Sequence, residues 1–235
     1  MNDLYIIRKF EKKDREAVRK IACDAAFMGE PCEIFFNGRD FLADVLTLYF
    51  TDFEPESCFV AEVDKIVGGY LIGTRDSSNF MKVFLLKILP GLIFKFFFKG
   101  IIFSKKNIMY FFNLFRSLLR GELRGPAINK EYPALLHINI DEKYRKMKIG
   151  TALIENYLDY LKSKEVPGVH LNAKSAHAAV FFEKMGFIRV WEIKRTYFYY
   201  LLDKPFIYYY FAKNLELVDT SHDYGKFNQK LKYIN

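Results

Sequence analysis

The sequence predicts an α/β fold: a mixed central β-sheet flanked by helices, with a hydrophobic helical insertion over residues 80–121. Three observations predict it. Short runs of β-forming residues alternate with stretches whose apolar residues recur at helical spacing. At residues 138–151 a strand runs through a basic loop into a helix. Finally, 235 residues that are 51% hydrophobic, with 25 Phe and 16 Tyr, can bury a substantial core and exclude disorder for most of the chain.

Leu4–Phe10 reads as a strand. A helix follows over Asp14–Cys23, with Ala17, Val18, Ile21 and Ala22 on one face. After the breaker Asn37-Gly38, Asp40–Phe50 forms a second amphipathic helix. Ser57–Val63 and Ile66–Thr74 are separated only by Asp64-Lys65, which signals a tight hairpin. Beyond the insertion come a strand over Ala134–Ile140, a helix over Thr151–Lys164 and a strand over Val169–Asn172. A helix over Ala176–Met185 is stopped by Gly186. Strands at Val190–Ile193 and Thr196–Leu202 complete the expected sheet, leaving 203–235 as a C-terminal extension of unread role that opens with an aromatic run, Phe206–Phe211.

Cysteine and histidine usage narrows the chemistry. Cys23, Cys32 and Cys58 are odd in number and form no Cys-x-x-Cys, and the N-terminal residues lack the apolar core of a signal peptide. A reduced, cytoplasmic setting is expected. His137, His170, His177 and His222 have no metal-ligand spacing, so no metal is expected.

The charge is concentrated. The segment 80–121 holds eight Lys and Arg residues and no acid, which equals the whole chain's net charge of +8. It reads as two or three helices, apolar nearly all round, broken at Pro90-Gly91 and near Ser104. A membrane span is disfavoured, because Lys87, Lys95 and Lys99 interrupt its best window at about 2.5–3.5 kcal/mol each. The expected roles are a helical subdomain or lid, a homodimer contact, or a peripheral membrane surface. No nucleic-acid recognition motif accompanies the charge.

The junction at 138–151 carries the functional reading. Backbone N–H groups at a helix start lack partners and the helix dipole adds positive charge there, so a basic strand–loop–helix turn suits a phosphate or pyrophosphate. Arg145-Lys146-Met147-Lys148-Ile149-Gly150 resembles motif A of the GNAT N-acetyltransferases, with Lys148 where the family usually has its first glycine. Ala178-Ala179-Val180-Phe181-Phe182-Glu183-Lys184-Met185-Gly186-Phe187 resembles the end of motif B, with Phe182 in place of the usual tyrosine and Ser175 in place of the usual asparagine. His137-x-Asn139, with Gly168-Val169-His170-Leu171, is also similar to the acetyltransferase-like domains related to those accompanying O-GlcNAc hydrolases.

The resemblance implies an acetyl-CoA-dependent N-acetyltransferase over residues 1–202. It implies a small-molecule or peptide amine as acceptor and direct attack of that amine on the thioester. Main-chain groups at Ile138 and Ile140 would take the pantetheine arm. Arg145, Lys146, Lys148, Ile149, Gly150 and Thr151 would take the pyrophosphate, with Ser175 and Phe182 beside the cofactor. His137 is the first candidate base, because an ordinary imidazole titrates near ~6.5. Asn139 shares its strand face and is the second catalytic candidate. Glu62 and Asp141 are weaker candidates. Phe182 has no phenolic proton to give, which with Ser175 suggests a CoA-binding domain without turnover as one alternative; the basic aromatic insert suggests another, a peripheral membrane or scaffold protein working through 80–121.

Overall fold

The computed structural model describes residues 5–215. Seven strands form one sheet in the order β1-β2-β3-β4-β5-β7-β6. They are β1 Ile6–Lys9, β2 Phe59–Val63, β3 Ile66–Thr74, β4 Ala134–Ile140, β5 Gly168–Ala173, β6 Ile188–Arg195 and β7 Phe206–Asn214. All neighbours are antiparallel except β4 and β5. The β2–β3 turn is made by Asp64 and Lys65, both at positive φ (48° and 64°), the twist that a two-residue hairpin demands.

Helices cover both faces. On one side lie α1 Arg15–Asp24, α2 Arg39–Asp52 and the insertion, over a core that includes Val18, Phe36, Phe50, Tyr70 and Ile72. On the other lie α6 Ile149–Ser163 and α7 Ala176–Lys184, over Leu136, Leu153, Tyr157, Leu171 and Phe211. Alternation along β4 sends Leu136 to the second core and His137 to the opposite face.

The insertion comprises α3 Ser77–Val83, α4 Leu89–Phe98 and α5 Lys105–Leu119. The chain is not broken at Pro90. A π-helical turn over Phe84–Ile88 leads directly into α4, and this wider turn absorbs the donor that proline lacks. The break falls instead at Gly100, in left-handed conformation at φ 64°, ahead of Ser104. Asn107 ties α5 to the domain. Its Oδ1 accepts from the Asn37 N–H (2.7 Å), and its Nδ2 donates to the carbonyls of Asn37 (2.6 Å) and Ile101 (2.8 Å).

The strand expected at Thr196–Leu202 is a turn and a short helix, α8 Tyr199–Leu202. Tyr197 and Phe198 pack there against Phe206, Tyr110 and Phe27 rather than alternating across a sheet. The final described strand is β7, which enters between β5 and β6. The sheet thus continues past residue 202, and the rest of the extension beyond 215 lies outside the described residues.

Candidate functional site

The site begins where two strands part. β4 and β5 pair only at Ala134↔Val169 and Leu135↔His170. Beyond that point β4 stays with β3 as far as Ile140, and β5 stays with β7 as far as Ala173. The strands diverge, and over residues 136–140 the edge of β4 that faces β5 borders the opening without a strand partner. The phenol of Tyr157, from α6, fixes the root of the opening by bonding the carbonyls of Leu135 (3.1 Å) and Thr74 (3.2 Å). Gly73 permits this, since a side chain there would collide with Tyr157.

The loop from β4 to α6 closes one end of the opening. Asp141 accepts from the Lys143 N–H (3.0 Å) and starts a tight turn over Glu142–Tyr144. Lys146 and Lys148 then take left-handed conformations, φ 70° and 60°. At Lys148 an L side chain in this conformation costs roughly 1–2 kcal/mol, which a glycine would not incur. No side chain caps α6, so the amides of its first turn, at Ile149, Gly150 and Thr151, stand ready for an anion. A Cβ on Gly150 would lie 3.3 Å from the Phe181 ring, so glycine lets α6 and α7 approach closely. Ile149 is buried in the core and offers only its main chain, while Arg145 reaches away to the Gly29 carbonyl (3.0 Å).

A second set of side chains lies on the sheet face shared with α1 and α2. The Asn139 amide donates to the Tyr70 phenol oxygen (2.8 Å) and lies 3.1 Å from His137 Nε2. Solvent reaches His137 through the opening, but protein crowds the ring on its other sides. That desolvation, with the charge of Lys174, pushes its pKa down to about 4. Across the opening, strand alternation puts Asn172 and Lys174 on the same face. Desolvation, together with Arg195, lowers the Lys174 ammonium to about 8. Arg195, only 7% exposed, stacks on Tyr208 (3.6 Å to the ring centre) and donates to the Tyr210 phenol (2.8 Å), while its Nε has no partner among the described residues. Neither cation is ion-paired among the described residues.

The structure therefore brings together His137, Asn139 and the 145–151 loop around one opening. Ser175 sits at its edge as the N-cap of α7, where its Oγ accepts from the Ala178 N–H (3.2 Å). Phe182 is buried against Phe187 and Phe211, and Phe181 is the ring that meets Gly150. Glu62 is remote, paired with Arg8 (2.8 Å) toward the sheet edge. Sequence reasoning missed Tyr70, Lys174 and Arg195. Position at the end of β5, next to a helix N-cap, was the one available signal for Lys174. Among the described residues no group of three or more His, Cys, Asp or Glu side chains is placed to hold a metal ion, and no helix is long and apolar enough to cross a membrane.

Residues 114–197 match the acetyltransferase (GNAT) domain family, and no curated protein matches the chain. SsHAT is similar in structure with a TM-score of 0.67 at 21% identity, over 90% of this chain and 98% of that one. YncA, a putative acetyltransferase from Salmonella typhimurium solved with its cofactor acetyl-CoA, gives 0.54 at 11% identity over 94% and 99%. The ribosomal-protein-S18-alanine N-acetyltransferase of Escherichia coli gives 0.52 at 14% identity over 93% and 98%. At these identities the structural likeness is one of fold, and the sequence match to the acetyltransferase (GNAT) domain covers residues 114–197.

Proposed function

We propose that this chain binds acetyl-CoA in the opening between β4 and β5 and transfers the acetyl group to a primary amine. The uncapped start of α6 beside two diverging strands carries this reading. Its first-turn amides, with Lys146 and Lys148 nearby, offer donors and positive charge to a pyrophosphate. The unpartnered backbone at Ile138 and Ile140 offers an added-strand contact to the pantetheine arm. Acetyl-CoA supplies the thioester. The acetyltransferase domain then runs to the end of β7, with 80–121 as its insertion.

In the transfer a C–N bond forms, the C–S bond breaks, the amine loses a proton and the departing thiolate gains one. His137, neutral at physiological pH, takes the amine's proton on Nε2 as the incoming acceptor displaces the Asn139 amide from that nitrogen, and its low pKa makes it a weak base that hands the proton on to solvent. Phe182 has no proton to donate, and we assign that task to Lys174. An ammonium at about 8 is matched to a thiol, which titrates near ~8.5. Lys174 and Arg195, both cationic and without carboxylate partners among the described residues, favour an acceptor that carries a carboxylate or phosphate as well as its amine.

A thiol-release assay with acetyl-CoA and a panel of anionic and neutral amines tests the reading. Turnover on anionic amines supports it. Tight acetyl-CoA binding with no release on any amine would favour the domain that binds CoA without turnover, the reading suggested by the buried Phe182.

A further inference from the structure

The insertion is inside out. Along α5 the inward line is Asn107, Tyr110, Leu114 and Ser117, with Asn107 and Ser117 at 0% exposure. The outward line is Ile108, Phe111, Phe112, Phe115, Leu118 and Leu119, all exposed. A helix facing water has the opposite arrangement. α4 repeats the pattern: Leu92 and Phe96 turn to the core, while Ile93, Phe94, Phe97 and Phe98 face out, Phe98 at 80% exposure. The two helices touch through Phe96 and Phe111, whose rings are 5.2 Å apart, and Phe103, 81% exposed, lies on the link between them. A contiguous apolar patch of this extent marks an interaction surface.

Charge identifies the occupant. Of the eight cations in 80–121, only Lys95 (to Asp44) and Arg120 (to Glu122) pair with a carboxylate among the described residues. Lys106 bonds the Glu33 carbonyl, while Lys87 and Arg116 have, among the described residues, aromatic contacts with Phe53 and Phe112. The segment has no acid of its own. A second copy docked face to face would set this positive surface against itself. Lipid headgroups carrying net negative charge offset it, and acyl chains accept the phenylalanines.

We propose that the outer face of α4 and α5 lies in the interface of an anionic phospholipid bilayer. The helices rest in the membrane plane, since none can span it. Lys82, Lys99, Lys105 and Arg116 sit at the phosphate level, held by attraction that salt screens. This inference stands apart from the acetyl-transfer reading, because it uses none of the residues around the β4–β5 opening.

Flotation of the full chain tests it, with vesicles of phosphatidylcholine alone or containing 30 mol% phosphatidylserine. Binding to the anionic vesicles is expected, reduced at least tenfold on neutral ones and at 0.5 M salt. Phe94→Ser/Phe98→Ser and Lys99→Glu/Lys105→Glu change exposed side chains only. Each is expected to weaken flotation about tenfold or more while keeping the wild-type melting temperature and acetyl-CoA affinity. Absence of flotation at low salt would overturn the proposal. So would equal binding to neutral vesicles, or a dimer in light scattering that Phe94→Ser/Phe98→Ser dissociates in place of an effect on flotation.

Discussion

The side-chain amide of Asn139 lies 3.1 Å from Nε2 of His137 and 2.8 Å from the Tyr70 phenol, joining two residues of β4 to a fully buried side chain of β3. With both amide hydrogens used, Nε2 of His137 is the acceptor and the imidazole is neutral. The low pKa of about 4 has the same sense: desolvation of the ring by the protein around it and the charge of Lys174 both disfavour the imidazolium.

A pH dependence of stability follows. Because the folded pKa of His137 lies below the ordinary ~6.5, the unfolded chain binds more protons between about 4 and 6.5. Stability is therefore lost as pH falls through that window. Thermal melts at pH 7.0 and 5.0 should show a smaller acid loss for His137→Gln than for the wild type. Equal losses would show that His137 titrates normally.

Lys174 should trade stability for function. Its folded pKa of about 8 lies below the ordinary value, so the protonated form at pH 7 destabilises the fold. Lys174→Met is expected to raise stability by about 1 kcal/mol, after allowance for solvent screening of a part-exposed group. The same change should lower kcat by about 10²-fold through loss of the acid. Wild-type kcat should fall above about pH 8, and that limb should be missing in Lys174→Met; an unchanged profile would remove Lys174 from the chemistry.

At Lys148 the left-handed backbone and the ammonium make opposite contributions. Lys148→Gly should stabilise the protein by about 0.5–1 kcal/mol, the strain relieved less the added chain entropy. If the ammonium contributes to the phosphate site, acetyl-CoA affinity should fall several-fold in the same variant. Calorimetry and chemical denaturation measure the two effects separately.

Asn107 anchors the insertion from inside. Asn107→Leu would leave the N–H and carbonyl of Asn37 without their side-chain partner and would remove three hydrogen bonds from a buried amide, at a cost of about 1–3 kcal/mol. Urea denaturation should show that loss, and a change below 0.5 kcal/mol would mean that α5 is held by its aromatic contacts alone.

How much of this was legible in the sequence depended on how local the cause was. The Asp64-Lys65 hairpin and the Gly186 stop were readable, because positive φ and tight loop length act on a few adjacent residues. So was the 138–151 junction. The place of β7 between β5 and β6 was not, since nothing in residues 206–214 records which strands they will meet. Thr196–Leu202 misled for a related reason: an aromatic run suits a strand or a buried turn equally, and contacts with Tyr110 and Phe27 decide between them. Pro90 failed as a breaker because the π-turn before it accommodates the missing donor. Lys174 and Arg195 are single cations among 36 Lys and Arg residues, and only the parting of β4 and β5 singles them out.

The central claim is that the uncapped start of α6 holds the pyrophosphate of acetyl-CoA. Thr151→Glu tests it most directly. An acid in the first turn favours the helix dipole, so the variant should be as stable as the wild type or slightly more so, while its charge repels a bound pyrophosphate. Titration calorimetry should give saturable acetyl-CoA binding to the wild type and at least tenfold weaker binding to Thr151→Glu at unchanged melting temperature. No binding by the wild type at millimolar acetyl-CoA, or equal affinity in the two proteins, would contradict the account.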